Sequence, residues 1–154
     1  KRRLVTHLAA LLGEGAPRMV VAVVDCAALC NPDSAAVFTT CLAAVQQAAG
    51  GFLPPGDATH ANARLAFEAA VRQGGRSGCQ VVLALVALEH LAASSQIDVS
   101  LFNALRSAAT RLPLALLTTS QHPLIELTYA ADADSIRSSP FFNIFAQITL
   151  PGAG

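Results

Sequence analysis

Residues 79–90 read CQVVLALVALEH and contain the longest unbroken apolar run of the chain, at 81–88. A short apolar run of this kind is typical of a strand that is buried on both faces of a parallel sheet. MVVAVVD at 19–25 and LPLALLTT at 112–119 have the same character, and FAQITL at 145–150 is a weaker fourth candidate. The sequence therefore predicts a parallel sheet in which 79–88 is the most hydrophobic strand.

Amphipathic patterns lie between these strands and predict helices with one buried face each. Strands that alternate with helices indicate right-handed β-α-β units, so we predict an α/β fold with three α-β-α layers, as a single domain over 1–154. The predicted helices cover 4–12; a segment capped by Asp33 or Ser34 that buries Val37, Phe38, Cys41 and Val45; 62–72, with Arg64, Glu68 and Arg72 spaced for i,i+4 pairing; and a segment capped by Asp98 or Ser100 that buries Leu101, Leu105, Ala108 and Ala109.

The composition excludes several classes of function. The formal net charge is zero and the ten basic residues are scattered, so we expect no binding to nucleic acid or to an anionic membrane. The longest apolar run is far shorter than the roughly 18 residues that span a bilayer. The four cysteines form no Cys-x-x-Cys pair, which disfavours a zinc site and indicates core thiols in a reducing, cytoplasmic compartment.

Ligands of open parallel sheets bind beyond the carboxyl ends of the strands, so polar residues there are the candidate site. Asp25 ends the first strand and is either a functional carboxylate or a cap for the following turn. Glu89 and His90 follow the second strand, as an acid–base pair or, in the favoured interpretation, as a solvated loop pair. The polar cluster 118–122 is either a ligand contact or the N-cap of a helix that begins near Pro123.

Several stretches, in this order, resemble the ATPase core of the bacterial signal-transduction NTPases (the STAND group) of the AAA-like P-loop proteins. KRRLVTHL resembles the helix that begins with the phosphate-loop lysine, and VVAVVDC resembles the second strand. VVLALVALEHL resembles the Walker B strand, usually of the form VVLLLDEFEHL. FNALRSAATRLPLALLTTSQHPLIEL resembles the next helix and the strand with its sensor-like polar end, and SSPFFNIFAQITL resembles the approach to the last strand.

The resemblance implies nucleotide-site residues and also shows where this chain departs from the family. Lys1 matches the phosphate-loop lysine, but no glycine-rich loop stands before it in this sequence, and Arg2 replaces the hydroxyl residue that holds Mg²⁺. Val86 and Ala87 replace the Walker B acidic pair. Since phosphoryl transfer depends on charge neutralisation and on positioning by such groups, the sequence predicts impaired hydrolysis.

The leading hypothesis is thus a degenerate ATPase module, a piece of a signalling or regulatory protein that takes ATP with Mg²⁺ in its full-length form. Glu89 and Asp25 are the candidate catalytic residues, and the candidate cofactor-binding residues are Lys1, Arg2, Thr119 and Ser120. The alternatives are a protein-interaction or scaffold domain without nucleotide, and part of a still active ATP hydrolase.

Further expectations concern topology and behaviour in solution. The resemblance implies that strand 19–25 lies at an edge, beside 80–88 and then 112–119, and that 145–150 pairs with 112–119 or leaves a gap there. The chain by itself should bind ATP poorly and should associate with itself or with a protein partner. Binding by the longer protein should depend only weakly on magnesium, whereas strict dependence would indicate that Glu89 or Asp25 supplies the acidic group.

Overall fold

The computed structural model describes residues 19–51, 62–122, 144–146 and 148, together with Arg3, Val5 and His7. Within them, three strands form one parallel sheet: β1 (Met19–Asp25), β2 (Gln80–Val86) and β3 (Leu114–Thr118). Their spatial order is β1-β2-β3. This confirms the predicted α/β class, the edge position of β1 and the central position of β2.

Within 19–51 and 62–122, four helices and one 3-10 turn connect and cover the strands. Side-chain oxygens cap two of the helices: Asp33 accepts the Ala36 N–H at 2.7 Å, and Asp98 accepts the Ser100 N–H at 2.9 Å. Of each predicted pair of capping residues, the aspartate is therefore the cap. The elements are a 3-10 turn (Cys26–Ala28), α1 (Ser34–Ala48), α2 (Ala63–Arg76), α3 (Glu89–Ala92) and α4 (Val99–Arg111).

Alternate side chains of β2 face two different apolar clusters. Leu83 and Leu85 are fully buried in the main core, which α1, α2 and α4 complete. Ala84 and Val86 pack on the opposite face against Val5, which lies in helical backbone near the chain start. Because consecutive residues of a strand point to opposite faces, the sheet is the middle of three layers, as predicted.

The strand ends and one helix face differ from the sequence-based prediction. β2 ends at Val86 rather than at 88, because Ala87 has a positive φ of 58°. β3 begins at Leu114, since the N–H of Leu112 bonds to Ala108 and ends α4. Ala109 is half-buried rather than part of the buried face of α4.

Two further predictions concern the end of the chain and the second helix. Phe145, Ala146 and Ile148 are in no strand, and the rest of 145–150 lies outside the described residues. Glu68 pairs with Arg64 as expected, at 2.9 Å, but its second ion pair is with Arg111 of α4, at 3.5 Å, instead of with Arg72. An ion pair between α2 and α4 thus replaces one local pair.

Among the described residues, no helix is both long enough and apolar enough to cross a membrane.

Candidate functional site

The polar groups predicted for the site gather at the carboxyl edge of the sheet. Asp25 stands beside Val86 in the β1–β2 register, and Thr118 stands beside Leu85 in the β2–β3 register. The three strands therefore end nearly level. The segments that follow them, including the 3-10 turn and α3, meet there and pack against one another.

Thr119 joins the end of β3 to the segment that follows β2. Its N–H donates to the Leu85 carbonyl at 3.0 Å, and its carbonyl accepts the Leu88 N–H at 2.9 Å. Its side-chain hydroxyl accepts the N–H of Ala87 at 3.1 Å. Thr119 therefore holds residues 85–88 in place, and we call it the Thr119 clamp. Its hydroxyl was expected to contact a ligand, but the oxygen already accepts one hydrogen bond within the protein.

Ala87 is the point where the chain leaves β2. Its φ of 58° lies in the left-handed region, which costs a residue with a Cβ about 1–2 kcal/mol. The N–H groups of Ala87 and Leu88 donate to the hydroxyl and the carbonyl of Thr119, and these two bonds hold the conformation. The resulting sharp turn starts α3 directly at Glu89.

Glu89 is placed differently from the solvated loop position that the sequence favoured. It is the first residue of α3, both of its carboxylate oxygens are buried, and neither has a hydrogen-bond partner. Only His90, the other half of the proposed pair, is exposed. An acid–base pair of these neighbours is not formed, because one side chain is turned inward and the other outward.

Asp25 caps the turn after β1, as one of the two sequence interpretations held. Its Oδ1 accepts the Ala27 N–H at 3.2 Å. The next residue, Cys26, is completely buried. Burial, together with the smaller effects of the Asp25 and Glu89 carboxylates, raises the pKa of the Cys26 thiol from 9.0 to about 12. The Cys26 thiol thus lies within electrostatic reach of both carboxylates.

Ser120 is the remaining predicted site residue within the described part of the chain. Ser120 follows Thr119, and its hydroxyl accepts the His122 N–H at 3.2 Å, which stabilises the local turn. Lys1 and Arg2 lie outside the described residues, as does the predicted helix from Pro123. Among the residues that the structure describes, no group of three or more His, Cys, Asp or Glu side chains could surround a metal ion.

The two positions that the family resemblance aligns with the Walker B acidic pair have apolar surroundings. Val86 is 6% exposed and packs with Val5 and Ala84. Ala87 packs against the same cluster. Neither position offers a group that binds a cation or orients water.

The architecture is similar to that of solved structures, although no similar sequence was found. No model of a known protein family and no curated protein matches the chain. Two solved structures of the ORC2 protein of Aeropyrum pernix, one of its ADPNP–ADP complexes and one of its ADP form, are similar at a TM-score of 0.58. Their sequence identity to the chain is 13% and 12%, and each alignment covers 84% of this chain and 32% of theirs.

The chain shares the fold of the part of these ORC2 structures that it matches. It spans about a third of their length, so the likeness concerns one part of those proteins. The coarse part of the sequence-based assignment, a P-loop-like α/β fold, is thereby confirmed.

Two features of the site were missed by sequence reasoning. The Thr119 clamp joins residues 32 positions apart, and no local sequence pattern predicts such a bond. The left-handed turn was hidden because alanine rarely adopts it. The signal in the sequence was the apolar run 81–88, which continues for two residues beyond the end of β2 at Val86.

Proposed function

We propose that this chain is the core of a nucleotide-binding module in a longer signalling or regulatory protein, and that the module hydrolyses nucleotide very slowly. The observation that carries the proposal is the sheet order β1-β2-β3, with the polar strand ends gathered at one edge. Ligands of open parallel sheets bind at that edge. The similar ORC2 structures are complexes with ADP or ADPNP, which supports nucleotide as the class of ligand.

The slow hydrolysis follows from the residues at the end of β2. Catalysis of phosphoryl transfer requires groups that neutralise charge and orient the attacking water. Val86 is packed into an apolar cluster, and the N–H of Ala87 is bonded to Thr119, so neither residue supplies such a group. The order of the STAND-like stretches along the chain supports the signalling assignment within the P-loop class.

The phosphate-binding part of the module belongs, in this proposal, to residues upstream of Lys1. Phosphate is bound by successive backbone N–H groups of a glycine-rich loop at a helix N-terminus. Lys1 and Arg2 would then contact the phosphates, and Thr119 and Ser120 would lie near the terminal phosphate at the end of β3. Arg2 could pair with phosphate oxygens as a cation.

Calorimetry with ATP and with ADP tests the proposal on two forms: the 154-residue chain, and the natural protein continued upstream of Lys1. We expect binding only by the longer form, weakened by Lys1→Ala, and very slow ATP turnover by both forms. Micromolar binding by the 154-residue chain would show that no upstream loop is needed. Absence of binding by the longer form would overturn the nucleotide assignment.

A protein-interaction domain is the second candidate, and the outer edge of β1 favours it. Within the described part of the chain, β1 pairs only with β2. The strand MVVAVVD has no proline and no charge before Asp25, and strands of this kind recruit further strands. Binding of a partner by the longer form with no response to nucleotide would favour this candidate.

A further inference from the structure

The basic residues are scattered along the sequence, but the fold gathers most of the described ones on two neighbouring helices. Of the six Lys and Arg residues that the structure describes, five lie on α2 or α4, and only Arg3 lies elsewhere. Four of the five described acidic residues lie outside these helices: Asp25, Asp33, Glu89 and Asp98. The described surface of α2 and α4 is therefore positively charged, although the chain as a whole has no formal net charge.

One row of α2 carries three of these arginines. Arg64, Arg72 and Arg76 share the row with Glu68 at a spacing of four residues, and residues so spaced are neighbours on the surface of a helix. At a rise of roughly 1.5 Å per residue, the row is about 18 Å long. The three arginines are exposed, whereas Glu68 is buried. The row thus presents its cations to solvent and hides its acidic group.

Glu68 joins α4 to this row. Its two carboxylate oxygens lie 2.9 Å from Arg64 Nε and 3.5 Å from Arg111 Nη2, so α4 adds a fourth exposed arginine beside the row. The ion pairs recorded among the described residues are both at Glu68, and neither involves Arg72 or Arg76. Arg76 lies in the last turn of α2, where a cation stabilises the helix dipole, but Arg64 and Arg72 lie before that turn. We call Arg64, Arg72, Arg76 and Arg111 the arginine face.

Apolar groups adjoin the arginine face. Leu65 follows Arg64 and is 69% exposed, and Ala69, one turn later, is also exposed, so that the two form an apolar strip. At the same end of α2, a cavity of about 220 Å³ lies between the N-terminal turns of α1, α2 and α4. Arg64 lines this cavity together with apolar side chains that include Phe38 and Leu101. The surface therefore combines a row of cations with apolar contacts.

We propose that the surface formed by α2 and α4 binds an acidic, amphipathic segment of a partner protein. Carboxylates of the segment pair with the arginine face, because guanidinium groups bind carboxylates through parallel hydrogen bonds. Its apolar side chains pack on Leu65 and enter the cavity beside Arg64, as an amphipathic helix does in a groove. Nucleic acid fits this surface less well, since the apolar strip gives a phosphate backbone no contact and a chain of zero net charge attracts it weakly. The inference goes beyond the proposed function, because it concerns the helical layer and involves no nucleotide.

The test measures how tightly the 154-residue chain binds a fluorescent peptide at low salt, by fluorescence anisotropy. The peptide has about 16 residues, or roughly 24 Å as a helix, with Glu at every fourth position beside a stripe of Leu. The double variant Arg72→Gln, Arg76→Gln should raise the Kd about five- to tenfold, because two exposed charge pairs are lost. Arg3→Gln is the matched control: it removes an exposed arginine near Val5, on the opposite face of the sheet, and should leave the Kd unchanged.

Further measurements separate the apolar contacts from the charges. Leu65→Gln should raise the Kd about two- to fivefold, since it removes exposed apolar surface from the contact. Added salt should weaken binding by the unaltered chain more than by the double variant, because exposed charges are screened. A peptide with Gln in place of Glu, and a single-stranded DNA of the same charge as the acidic peptide, should each bind about tenfold more weakly.

The substituted side chains are exposed, so circular dichroism should show that every variant is folded. The inference is overturned if the acidic peptide does not bind, or if the double variant changes the Kd no more than Arg3→Gln does. DNA that binds as tightly as the acidic peptide would also overturn it, and would assign the arginine face to nucleic acid. None of these outcomes bears on nucleotide binding by the longer protein, so the proposed function is tested separately.

Discussion

The hydroxyl of Thr119 accepts the N–H of Ala87 at 3.1 Å across the carboxyl edge of the sheet. Thr119→Val keeps the shape of the side chain but leaves that part-buried N–H without its acceptor. We expect the free energy of unfolding to fall by about 1–2 kcal/mol, measured by urea denaturation. Thr119→Ser retains the oxygen and should lose less. Equal losses in the two variants would show that the methyl group, and not the hydrogen bond, is what matters.

A substitution at Ala87 should have the opposite effect on the free energy of unfolding. Glycine adopts positive φ without the Cβ penalty, so Ala87→Gly should leave stability unchanged or raise it by up to about 1 kcal/mol. Ala109→Gly within α4 should instead lower it by about 1 kcal/mol. A similar loss at both positions in chemical denaturation would contradict the left-handed conformation of Ala87.

Gly75 lies against Pro113 at the junction of α2 with the start of β3. A Cβ at Gly75 would overlap Pro113 Cγ and would also meet its Cδ at 3.3 Å. Gly75→Ala should therefore destabilise the protein by about 1–3 kcal/mol, although the same change in an open helix is stabilising. The loss should shrink in a Pro113→Ala background, as judged by a double-mutant cycle. An unchanged loss there would rule out this contact as the cause.

Glu68 is buried between two arginines of different helices. Arg111 approaches Glu68 Oε2 at 3.5 Å, and its side chain is 51% exposed, so solvent screens the pair. We expect Arg111→Gln to cost about 0.5–1 kcal/mol at low salt and less at high salt. Arg72→Gln should change stability by less than about 0.5 kcal/mol. Larger effects at Arg72 in parallel denaturation curves would restore the local pair that the spacing predicted.

The buried thiols predict how stability varies in alkali. Burial raises the pKa of Cys26 and of Cys41 from 9.0 to about 12. Above pH 9 the unfolded chain loses these protons while the folded chain keeps them, so the stability present below pH 9 declines between pH 9 and 12. Denaturation at pH 8 and pH 10 should show the loss, and Cys26→Ala with Cys41→Ala should reduce it. An unchanged slope in the double variant would exclude the thiols as its source.

Self-association remains a prediction from the apolar edge strand. β1 has no charge before Asp25, and unprotected edges pair with other chains. Light scattering should show species larger than a monomer at high concentration. Val21→Lys, which puts a charge into this half-buried strand, should reduce them, while Ala109→Lys on α4 should not. A monodisperse monomer at high concentration would contradict the expectation.

The sequence determined the helices and strands, and the family resemblance implied the order of the strands in the sheet. The apolar runs predicted all three strands of the described sheet, and the spacing of Val37, Phe38, Cys41 and Val45 predicted the buried face of α1. Apolar periodicity is a local property that burial enforces. For this reason the fold class could be predicted from the sequence, and so could the pairs of capping candidates from which the structure selects Asp33 and Asp98.

Tertiary structure alone decided the geometry of the candidate site. The end of β2, the inward turn of Glu89 and the choice of Arg111 over Arg72 all depend on contacts between residues distant in sequence. Thr119 bonds to Ala87 only because β2 and β3 lie side by side. A polar residue at a strand end has the same appearance in the sequence whether it contacts a ligand or holds the neighbouring strand, and only the packing of the strands distinguishes these roles.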